Sequence, residues 1–327
     1  MKIGIDVGYG YTKVVTKHSS LFFPSRVGPA RELSFTLKEG ADVCGETVEY
    51  QGEQFFVGDK ARHSDVTYTL RTRGWVESKM YGALLTSAIT RALNGRHATT
   101  DPEAVTIVTG LPVDYMRDKP KAEEVIRKTC DGIGINIADI SVIPQPFGSF
   151  FDIFYDNDGD IAGSAPLFKR LGIVDIGYHT TDYILIEDAK HYVEKASGSI
   201  PTGAYELYDI VARELKNAFD RDMVTADEAE QSVKTKHFKV SGQNKDVSNL
   251  VERVLSQVGQ KIAGVIKSKW SIVGEIDVVL LTGGGGSLLQ QHISAMAHTH
   301  LLISEPQMAN ARGYYKRSVI LERRMMR

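Results

Sequence analysis

Short apolar runs of strand length alternate along the chain with segments in which apolar residues recur at helical spacing. The runs that are clearest as strands are residues 2–7, 12–16, 104–109, 170–175, 183–187 and 277–282. Helical spacing is clearest at Leu85, Ile89 and Leu93, over residues 203–217, and over residues 251–266, with Val265 on the inner face. This alternation is typical of a parallel sheet covered by helices, so we predict an α/β fold.

Two segments interrupt the alternation and are interpreted as small insertions. Residues 33–65 contain short β-like pieces at 34–37, 47–50 and 54–57, separated by glycine and charged residues. Residues 220–247 form a polar stretch that contains a turn-like segment at 241–244. Neither segment is of low complexity, so ordinary surface elaboration stays open as an alternative to a subdomain with its own role.

One motif occurs twice, once in each half of the chain. Residues 3–13 and residues 172–182 each form an apolar strand that ends in Asp-x-Gly-Tyr and continues through a polar turn into a second strand. An aspartate that closes an apolar strand is costly to bury unless a partner satisfies it. The repeat therefore predicts two similar domains whose hairpins face one ligand.

The residue types in these hairpins suit a phosphate group and its metal ion. Glycine lets a turn aim several backbone N–H groups at a phosphate. The carboxylates of Asp6 and Asp175 are hard oxygen ligands of the kind that Mg²⁺ accepts, often through retained water. Lys13 supplies a cation for the phosphates. Asp6 alone would be explained as a residue that caps its own turn, but the second copy favours the ligand.

A third element is the run of four glycines at 283–286, which follows an apolar strand and precedes a helical pattern. Such a run makes a surface without side chains, against which a base or a ribose could lie near a helix N-terminus. A flexible turn is the alternative, but the position between a buried strand and a helix favours a nucleotide. Neither GxxxxGK[ST] nor GxGxxG in a strand–helix context occurs, which argues against P-loop and dinucleotide-binding proteins.

The overall composition argues against some classes of protein and of binding partner. The formal net charge is −2, which gives no electrostatic case for a surface built to bind nucleic acid or a membrane. The basic stretch at 316–327 is interpreted as a solvated helix end, and Trp75 and Trp270 as packing residues. Cys44 and Cys130 are too few for a disulfide framework. With a strand directly at the N-terminus and no bilayer-spanning stretch, we expect a soluble, cytoplasmic protein.

The two hairpins and the glycine run resemble the nucleotide-binding motifs of the actin, Hsp70 and sugar-kinase superfamily. Within it, the chain is most similar to the ParM/StbA type of actin-like ATPase, over essentially its whole length. The resemblance assigns the phosphate 1, phosphate 2 and adenosine motifs to residues 6–13, 175–182 and 281–289. The connecting segments correspond to residues 107–112 with 142–148, and to residues 305–314.

This resemblance implies a two-domain actin-like fold of the ribonuclease H-like kind, with a small inserted subdomain in each half. Domain I is expected at residues 1–165, with its insertion at about 33–65 and a C-terminal helix at 312–327 that packs back on it. Domain II is expected at residues 166–311, with its insertion at about 220–247.

The resemblance also implies the cofactors and the residues that hold them. ATP and Mg²⁺ are expected, with GTP as an alternative because the glycine surface offers no side chain that distinguishes the bases. Asp6 and Asp175 would hold the hydration shell of Mg²⁺, and Gln145 would orient the attacking water, since a neutral amide cannot act as a strong base. The residues expected at the nucleotide are Gly8, Tyr9, Gly10, Lys13, Gly177, Tyr178, His179, Thr180, Lys234, Gly283, Gly284 and Gly285.

Two of these assignments need separate mention. Tyr178 and His179 stand where many relatives have glycine, so either the backbone stays further from the γ-phosphate or His179 itself contacts the ligand. A solvated loop histidine is the alternative. A ribose contact is expected from the helix at residues 225–236, and Lys234 is the residue assigned to it.

Three functions are compatible with such a nucleotide site. The preferred one is a filament-forming protein in which ATP drives polymerisation and hydrolysis drives disassembly, for plasmid or DNA segregation or as a prokaryotic cytoskeletal element. Its partners would be further copies of itself and, in the ParM-type case, a DNA-binding adaptor, without direct binding to nucleic acid. A small-molecule kinase is the alternative, but Asp114 is better explained as a helix start than as a catalytic base. A chaperone-like ATPase would add a peptide-binding domain, which is not expected here.

Overall fold

The computed structural model describes residues 1–32, 44–68, 73–93, 104–162, 168–293 and 299–325. The chain divides into two units. Unit 1 comprises Met1–Pro166 and Met308–Arg327, and unit 2 comprises Leu167–Gln307. The strand predicted at 34–37 lies outside the described residues.

Strands and helices follow one another in the alternation that the sequence predicts. The strands are β1 (Lys2–Val7), β2 (Tyr11–Val15), β3 (Ser20–Pro24), β4 (Val27–Pro29), β5 (Thr47–Tyr50), β6 (Glu53–Val57), β7 (Val105–Leu111), β8 (Ile137–Pro144), β9 (Arg170–Ile176), β10 (Thr181–Glu187), β11 (His191–Tyr192), β12 (Gly198–Ile200), β13 (His237–Val240), β14 (Gln243–Asp246), β15 (Val278–Thr282) and β16 (Thr299–Leu302). The α-helices are α1 (Lys79–Ala92), α2 (Lys119–Gly132), α3 (Pro146–Phe154), α4 (Ala204–Ala218), α5 (Ala226–Thr235), α6 (Ser248–Trp270), α7 (Gly286–Ile293) and α8 (Ala309–Met325). Within the described ranges, none of the helices has the length and hydropathy of a bilayer-spanning segment.

The sheet of unit 1 is built on the first predicted hairpin. Its strand order is β3-β2-β1-β7-β8, in which β1, β7 and β8 are parallel and β1 and β2 are antiparallel. Ile3 and Ile5 on the central strand are fully covered. Because parallel strands end at the same edge of a sheet, Asp6, Gly110 and Gln145 come to one edge.

Helix α8 returns to unit 1 and crosses α3 at close range. A Cβ on Gly313 would lie 1.6 Å from the carbonyl oxygen of Gly148, so glycine at both positions lets the two backbones touch. Beside the crossing, Asn310 Oδ1 accepts hydrogen bonds from the backbone N–H and the hydroxyl of Ser149, at 3.1 and 2.7 Å. These contacts fix the place of α8 on the unit.

Basic residues of α8 pair with acidic residues of the same unit. Arg312 Nη2 and Lys316 Nζ lie 2.6 and 3.0 Å from the carboxylate oxygens of Asp152, whose side chain is 7% exposed. Arg323 Nη1 lies 2.7 Å from Asp160 Oδ1. The interpretation of this stretch as a solvated helix end is therefore wrong for Lys316, whose side chain is 12% exposed. It fits Arg323, whose side chain is 45% exposed although it pairs with Asp160.

Unit 2 repeats the construction of the first sheet. Its strand order is β11-β10-β9-β15-β16, with β12 beside β10. Strands β9 and β10 form the antiparallel hairpin, and β9, β15 and β16 are parallel. Val174, Leu207, Val254 and Leu281 belong to one core cluster that joins the sheet to α4 and α6. The second hairpin and the glycine run are thereby brought to the carboxyl edge of this sheet.

Each insertion carries a small β element of its own. In unit 1, β4, β6 and β5 form an antiparallel sheet. In unit 2, α5 leads into the β13–β14 hairpin. Helix α5 begins with a capping box, in which the Thr225 hydroxyl and the Glu228 carboxylate each accept the backbone N–H of the other residue. The helix predicted at 225–236 is confirmed.

The buried side chains confirm that both tryptophans are packing residues. One residue that was predicted to lie in the core is exposed instead. Trp75 and Trp270 are 4% and 3% exposed. Val265 is 39% exposed, so its predicted place on the inner face of α6 is wrong. Helical spacing gives the direction of a side chain, but it does not give how far the neighbouring element extends over it.

Replacing Gly313 by alanine should destabilise unit 1. Inside a helix this change ordinarily stabilises by up to about 1 kcal/mol. Here the added Cβ would lie 1.6 Å from the Gly148 oxygen, and overpacking of this kind costs about 1–3 kcal/mol or more. We therefore expect a free energy of unfolding that is lower by about 3 kcal/mol, as measured by urea unfolding in the absence of nucleotide.

Gly132→Ala is the matched control in the same unit. Gly132 ends α2, and no described atom lies within 4 Å of the position of its Cβ. This variant should unfold at the same urea concentration as the wild type or at a slightly higher one. Equal unfolding curves for the two variants would mean that the helix crossing is not tight.

Candidate functional site

The first candidate hairpin joins β1 to β2 through Gly8, Tyr9 and Gly10. The Gly8 N–H donates to the Tyr11 carbonyl oxygen at 3.2 Å, which closes the turn. A Cβ on Gly8 would lie 2.9 Å from that oxygen, so glycine suits this position. All three tip residues are partly exposed, which leaves their backbone within reach of a ligand.

Asp6 and Lys13 face each other across this hairpin and form an ion pair. Lys13 Nζ lies 2.8 Å from Asp6 Oδ2, and the two side chains are 13% and 5% exposed. The other carboxylate oxygen, Asp6 Oδ1, is buried and has no hydrogen-bond donor among the residues that the structure describes. A buried carboxylate oxygen without a donor is costly. This oxygen therefore marks a place where a cation or a donor from outside the chain would be stabilised.

Tyr9 uses its side chain to anchor the hairpin to the core. Its ring centroid lies 4.7 Å from that of Trp75, which in turn lies 5.8 Å from the ring of Tyr81. Burial raises the pKa of Tyr81, and the charge of Asp6 acts in the same direction, so this hydroxyl stays protonated. Because the Tyr9 ring is committed to this stack, a contact between Tyr9 and a ligand would be made by its backbone N–H.

The second candidate hairpin has the same construction and a different charge. The Gly177 N–H donates to the Thr180 carbonyl oxygen at 2.9 Å, which closes the turn as in the first hairpin. Asp175 faces Asp182 across the strands. Asp182 therefore takes the position that Lys13 has in the first hairpin, and a carboxyl group replaces the ammonium group.

Asp182 is not among the residues that the sequence assigned to the ligand. It is 1% exposed, and its oxygens accept hydrogen bonds from the hydroxyl of Thr180, at 2.9 Å, and from that of Ser199. Aligning the two Asp-x-Gly repeats position by position would have found it. The Thr180 hydroxyl donates its hydrogen bond to Asp182. The predicted contact of Thr180 with a ligand would therefore be made by its backbone.

The N-terminus of α4 holds the second hairpin in place. The Ala204 N–H donates to the Gly177 carbonyl oxygen at 3.0 Å, and the Tyr205 N–H donates to that of Tyr178 at 2.7 Å. Two of the free N–H groups of a helix start are thus used on the hairpin. A Cβ on Gly203 would lie 2.7 Å from the Gly177 oxygen, so glycine there permits the approach. The helix thereby fixes the carbonyl side of the turn.

The side chains of Tyr178 and His179 also lie beside α4. The Tyr178 ring is 5.8 Å from that of Tyr205 and 6.4 Å from that of Tyr208. The His179 ring is 6.5 Å from that of Tyr205. These contacts give both side chains a packing role at a turn where glycine was expected from the resemblance. The contact of His179 with a phosphate stays a prediction.

The glycines of the third element have unequal roles. Gly283 has a φ of +80°, and a Cβ on it would lie 2.3 Å from Asp175 Oδ1. The Gly285 N–H donates to the Ile176 carbonyl oxygen at 2.8 Å, and a Cβ there would lie 2.5 Å from Ile176 Cγ2. Gly284 is exposed, and no described atom beyond its chain neighbours lies within 4 Å of its Cβ position. Gly284 is therefore the glycine that is open to a ligand.

The two remaining candidates lie on different elements. Gln145 follows β8, and its backbone N–H donates to the Leu111 carbonyl oxygen at 2.9 Å, at the sheet edge that also holds Asp6. Lys234 is half exposed on α5, with its Nζ 2.6 Å from Glu230 Oε1 one turn earlier. This pair gives Lys234 an ordinary place on the helix surface. Its ribose contact and the water-orienting role of Gln145 stay predictions.

Each unit by itself offers groups that suit part of a nucleotide with its magnesium ion. Asp6 offers a buried oxygen without a donor, the hairpin tips offer backbone N–H groups, and Gly284 offers bare backbone. Within the described ranges, no three His, Cys, Asp or Glu side chains are grouped as a metal site. A magnesium ion would therefore take most of its ligands from phosphates and water, as Mg²⁺ ordinarily does in nucleotide sites.

Two family models match the chain, one in each half. The family described as "Actin like proteins N terminal domain" matches residues 4–148. The family described as "Archaeal actin homologue MreB-like, C-terminal" matches residues 173–295. A search of curated protein sequences gives no match.

Several solved structures share the fold over nearly the whole chain. A 15-stranded ParM filament from Clostridium botulinum is 21% identical, with a TM-score of 0.77, and the match covers 97% of this chain and 98% of that one. The archaeal actin homolog Ta0583 is 20% identical, with a TM-score of 0.75 and coverage of 98% and 99%. Its complex with ADP is 19% identical, with a TM-score of 0.74 and the same coverage of 98% and 99%. The predicted two-domain actin-like fold is confirmed.

Removing Lys13 should leave the buried Asp6 carboxylate unpaired. Loss of one partner from a buried ion pair costs about 3–5 kcal/mol, so Lys13→Met should lower the free energy of unfolding by about 3 kcal/mol. Adding Asp6→Asn to this variant should recover much of the loss, because the amide is neutral. Urea unfolding in the absence of nucleotide compares the single and double variants with the wild type.

Lys234→Met is the control for the loss of a lysine from an ion pair. Its pair with Glu230 is half exposed, and exposed pairs contribute about 0–1 kcal/mol, so its unfolding should stay close to that of the wild type. If Lys13→Met and Lys234→Met have the same stability, the pair with Lys13 is not what compensates the burial of Asp6.

Proposed function

We propose that this chain, an actin-like protein with an actin-like N-terminal domain and an MreB-like C-terminal domain, binds ATP with Mg²⁺, hydrolyses it and forms nucleotide-dependent filaments. The observation that carries the nucleotide site is Asp6 Oδ1, which is buried without a donor at the base of a glycine turn. The filament part is supported by the similarity of the fold to that of a ParM filament subunit. Nucleotide binding is further supported by the ADP complex of Ta0583.

In this proposal each hairpin contributes one carboxylate to the magnesium ion. Both Asp6 and Asp175 would hold the hydration shell of the ion, and Asp6 would do so with the oxygen that its ion pair with Lys13 leaves without a donor. The bound ion neutralises phosphate charge that would otherwise repel the carboxylates. Lys13, whose Nζ lies 2.8 Å from Asp6 Oδ2, would contact a β-phosphate oxygen.

Backbone groups hold the rest of the nucleotide. The N–H groups of Tyr9 and Gly10 bind phosphate oxygens, because a turn that contains glycine can present several N–H groups to one anion. The N–H groups of Gly8 and Gly177, which the sequence also assigned to the phosphates, close their own turns instead. Gly284 gives the base or the ribose a flat surface, since it is exposed and carries no side chain. A backbone surface does not distinguish adenine from guanine, so GTP stays the alternative nucleotide.

Gln145 orients the water that attacks the γ-phosphate. It stands at the carboxyl edge of the sheet of unit 1, the edge to which Asp6 also belongs. A neutral amide donates and accepts hydrogen bonds but does not remove a proton as a strong base, so its contribution is orientation. Slow turnover follows from this chemistry, and slow turnover suits a filament that must persist before it disassembles.

The proposed partners are further copies of the same chain. ATP binding favours assembly, and hydrolysis favours disassembly. Such filaments would act in the cytoplasm, in the segregation of plasmid or other DNA or as a cytoskeletal element. A DNA-binding adaptor would carry the contact with DNA, since the net charge of −2 gives this chain no general attraction to it.

The test combines the purified protein with Mg²⁺ and ATP, ADP, GTP or a non-hydrolysable ATP analogue. Light scattering and high-speed pelleting should show assembly with the triphosphates and its reversal after hydrolysis. Asp175→Ala should abolish nucleotide-dependent pelleting, because the buried carboxylate at the second hairpin is lost.

Asp209→Ala is the matched control on the same unit. Asp209 is half exposed on α4, and its one ion-pair partner in the described part of the chain is Arg213 one turn later, so this variant should pellet like the wild type. A protein that binds and hydrolyses ATP but stays monomeric at every concentration and salt would refute the filament function. A non-polymerising ATPase or a small-molecule kinase of the same superfamily would then be screened for.

A further inference from the structure

Tyr314 of α8 occupies a slot that two glycines leave open. Its side chain is fully buried. A Cβ on Gly110 would lie 1.9 Å from Tyr314 Oη, and a Cβ on Gly148 would lie 2.6 Å from Tyr314 Cε1. A side chain at either position would displace the ring. The slot therefore has the shape of this ring with its hydroxyl in place.

The hydroxyl at the end of the slot contacts the backbone of Gln145. Tyr314 Oη donates to the Gln145 carbonyl oxygen at 3.3 Å. The same oxygen accepts the Gly148 N–H at 2.9 Å, and the Gln145 N–H donates to the Leu111 carbonyl oxygen at 2.9 Å. Hydrogen bonds from three elements, β7, α3 and α8, thus fix the peptide groups on both sides of Gln145.

The side chain of Gln145 passes the same slot. A Cβ on Gly110 would lie 3.1 Å from Gln145 Cγ. The same Cβ would lie 1.9 Å from Tyr314 Oη. The first part of the Gln145 side chain and the tyrosine hydroxyl therefore share the space above one glycine. A displacement of either group changes the room that is left for the other.

Packing alone does not account for the hydroxyl of Tyr314. A phenylalanine ring would fill the same apolar space, whereas a buried hydroxyl is costly unless it is hydrogen-bonded. The adjacent Tyr315 belongs to a different group of side chains, a cluster with Val15 and Met308, and it serves the packing of α8 on β2. Two neighbouring tyrosines of one helix are thus directed at different parts of the unit.

We propose that Tyr314 is a positioning residue for ATP hydrolysis. Its hydroxyl holds the backbone of Gln145 so that the side-chain amide stands where it orients the attacking water. The inference rests on the proposed role of Gln145. Tyr314 itself contacts neither the nucleotide nor the water, and it acts only through Gln145.

Tyr314→Phe removes the hydroxyl and keeps the ring. We expect the single-turnover rate constant of ATP hydrolysis to fall about fivefold, the effect of one ordinary hydrogen bond. The Kd for nucleotide should stay within about twofold, because the interaction affects the water and not the bound ground state. Tyr315→Phe, on the next residue of the same helix, should hydrolyse ATP at the wild-type rate.

Gln145→Ala separates this inference from the proposed function. Its hydrolysis should be slow, and adding Tyr314→Phe should cause no further loss, because two residues that act through one group are not additive. Wild-type hydrolysis by Gln145→Ala would refute the proposed role of Gln145. Slow hydrolysis by Gln145→Ala with normal hydrolysis by Tyr314→Phe would overturn the role of Tyr314 alone. An undiminished extra loss in the double variant would overturn it as well.

Discussion

Each of the two main sheets buries a carboxylate at the end of an apolar strand, and the groups around each hairpin have to compensate for that burial. Asp6 and Asp175 are 4% and 5% exposed, so water cannot solvate them fully. In unit 1 the cost is offset by the ammonium group of Lys13 across the hairpin. In unit 2 the opposite position holds Asp182, beside which stand hydroxyl groups. The two hairpins thus share one backbone design, but the residue opposite the aspartate is a lysine in the first and a second acidic residue in the second.

The glycines near these hairpins differ in which neighbouring group the missing side chain leaves room for. Gly148 and Gly313 admit a second helix, and Gly110 admits a tyrosine hydroxyl. Gly283 admits the carboxylate of Asp175, which makes it part of the support for that side chain. Gly284 alone in its run combines exposure with open space at its Cβ position. Most of these glycines therefore hold the protein's own groups close together.

Local patterns were sufficient to predict β1, β2, β7, β9, β10 and β15, the two hairpins and the positions of Asp6 and Asp175, because each of these signals lies within about ten residues of sequence. They did not predict β3, β8 and β16, which complete the two main sheets. Contacts between distant segments left no such signal. Tyr314 and Gln145 are 169 residues apart, and nothing in either neighbourhood points to the other. Lys234 shows a different limit. The sequence correctly predicted its helix, but the ion pair that occupies its ammonium group depends on rotamers that spacing does not fix.

Unit 1 is discontinuous in sequence, and this has a consequence for synthesis on the ribosome. Unit 2 is translated as one stretch, whereas unit 1 needs α8, which emerges only after unit 2 is complete. Until then, Val15 on β2 lacks the cover of Met308 and Tyr315, and Gln145 lacks Tyr314. Domains fold as they emerge, so the nascent chain holds a finished second unit and an unfinished first one. A chain that stops before α8 therefore lacks part of the core of its first unit, even when its second unit is complete.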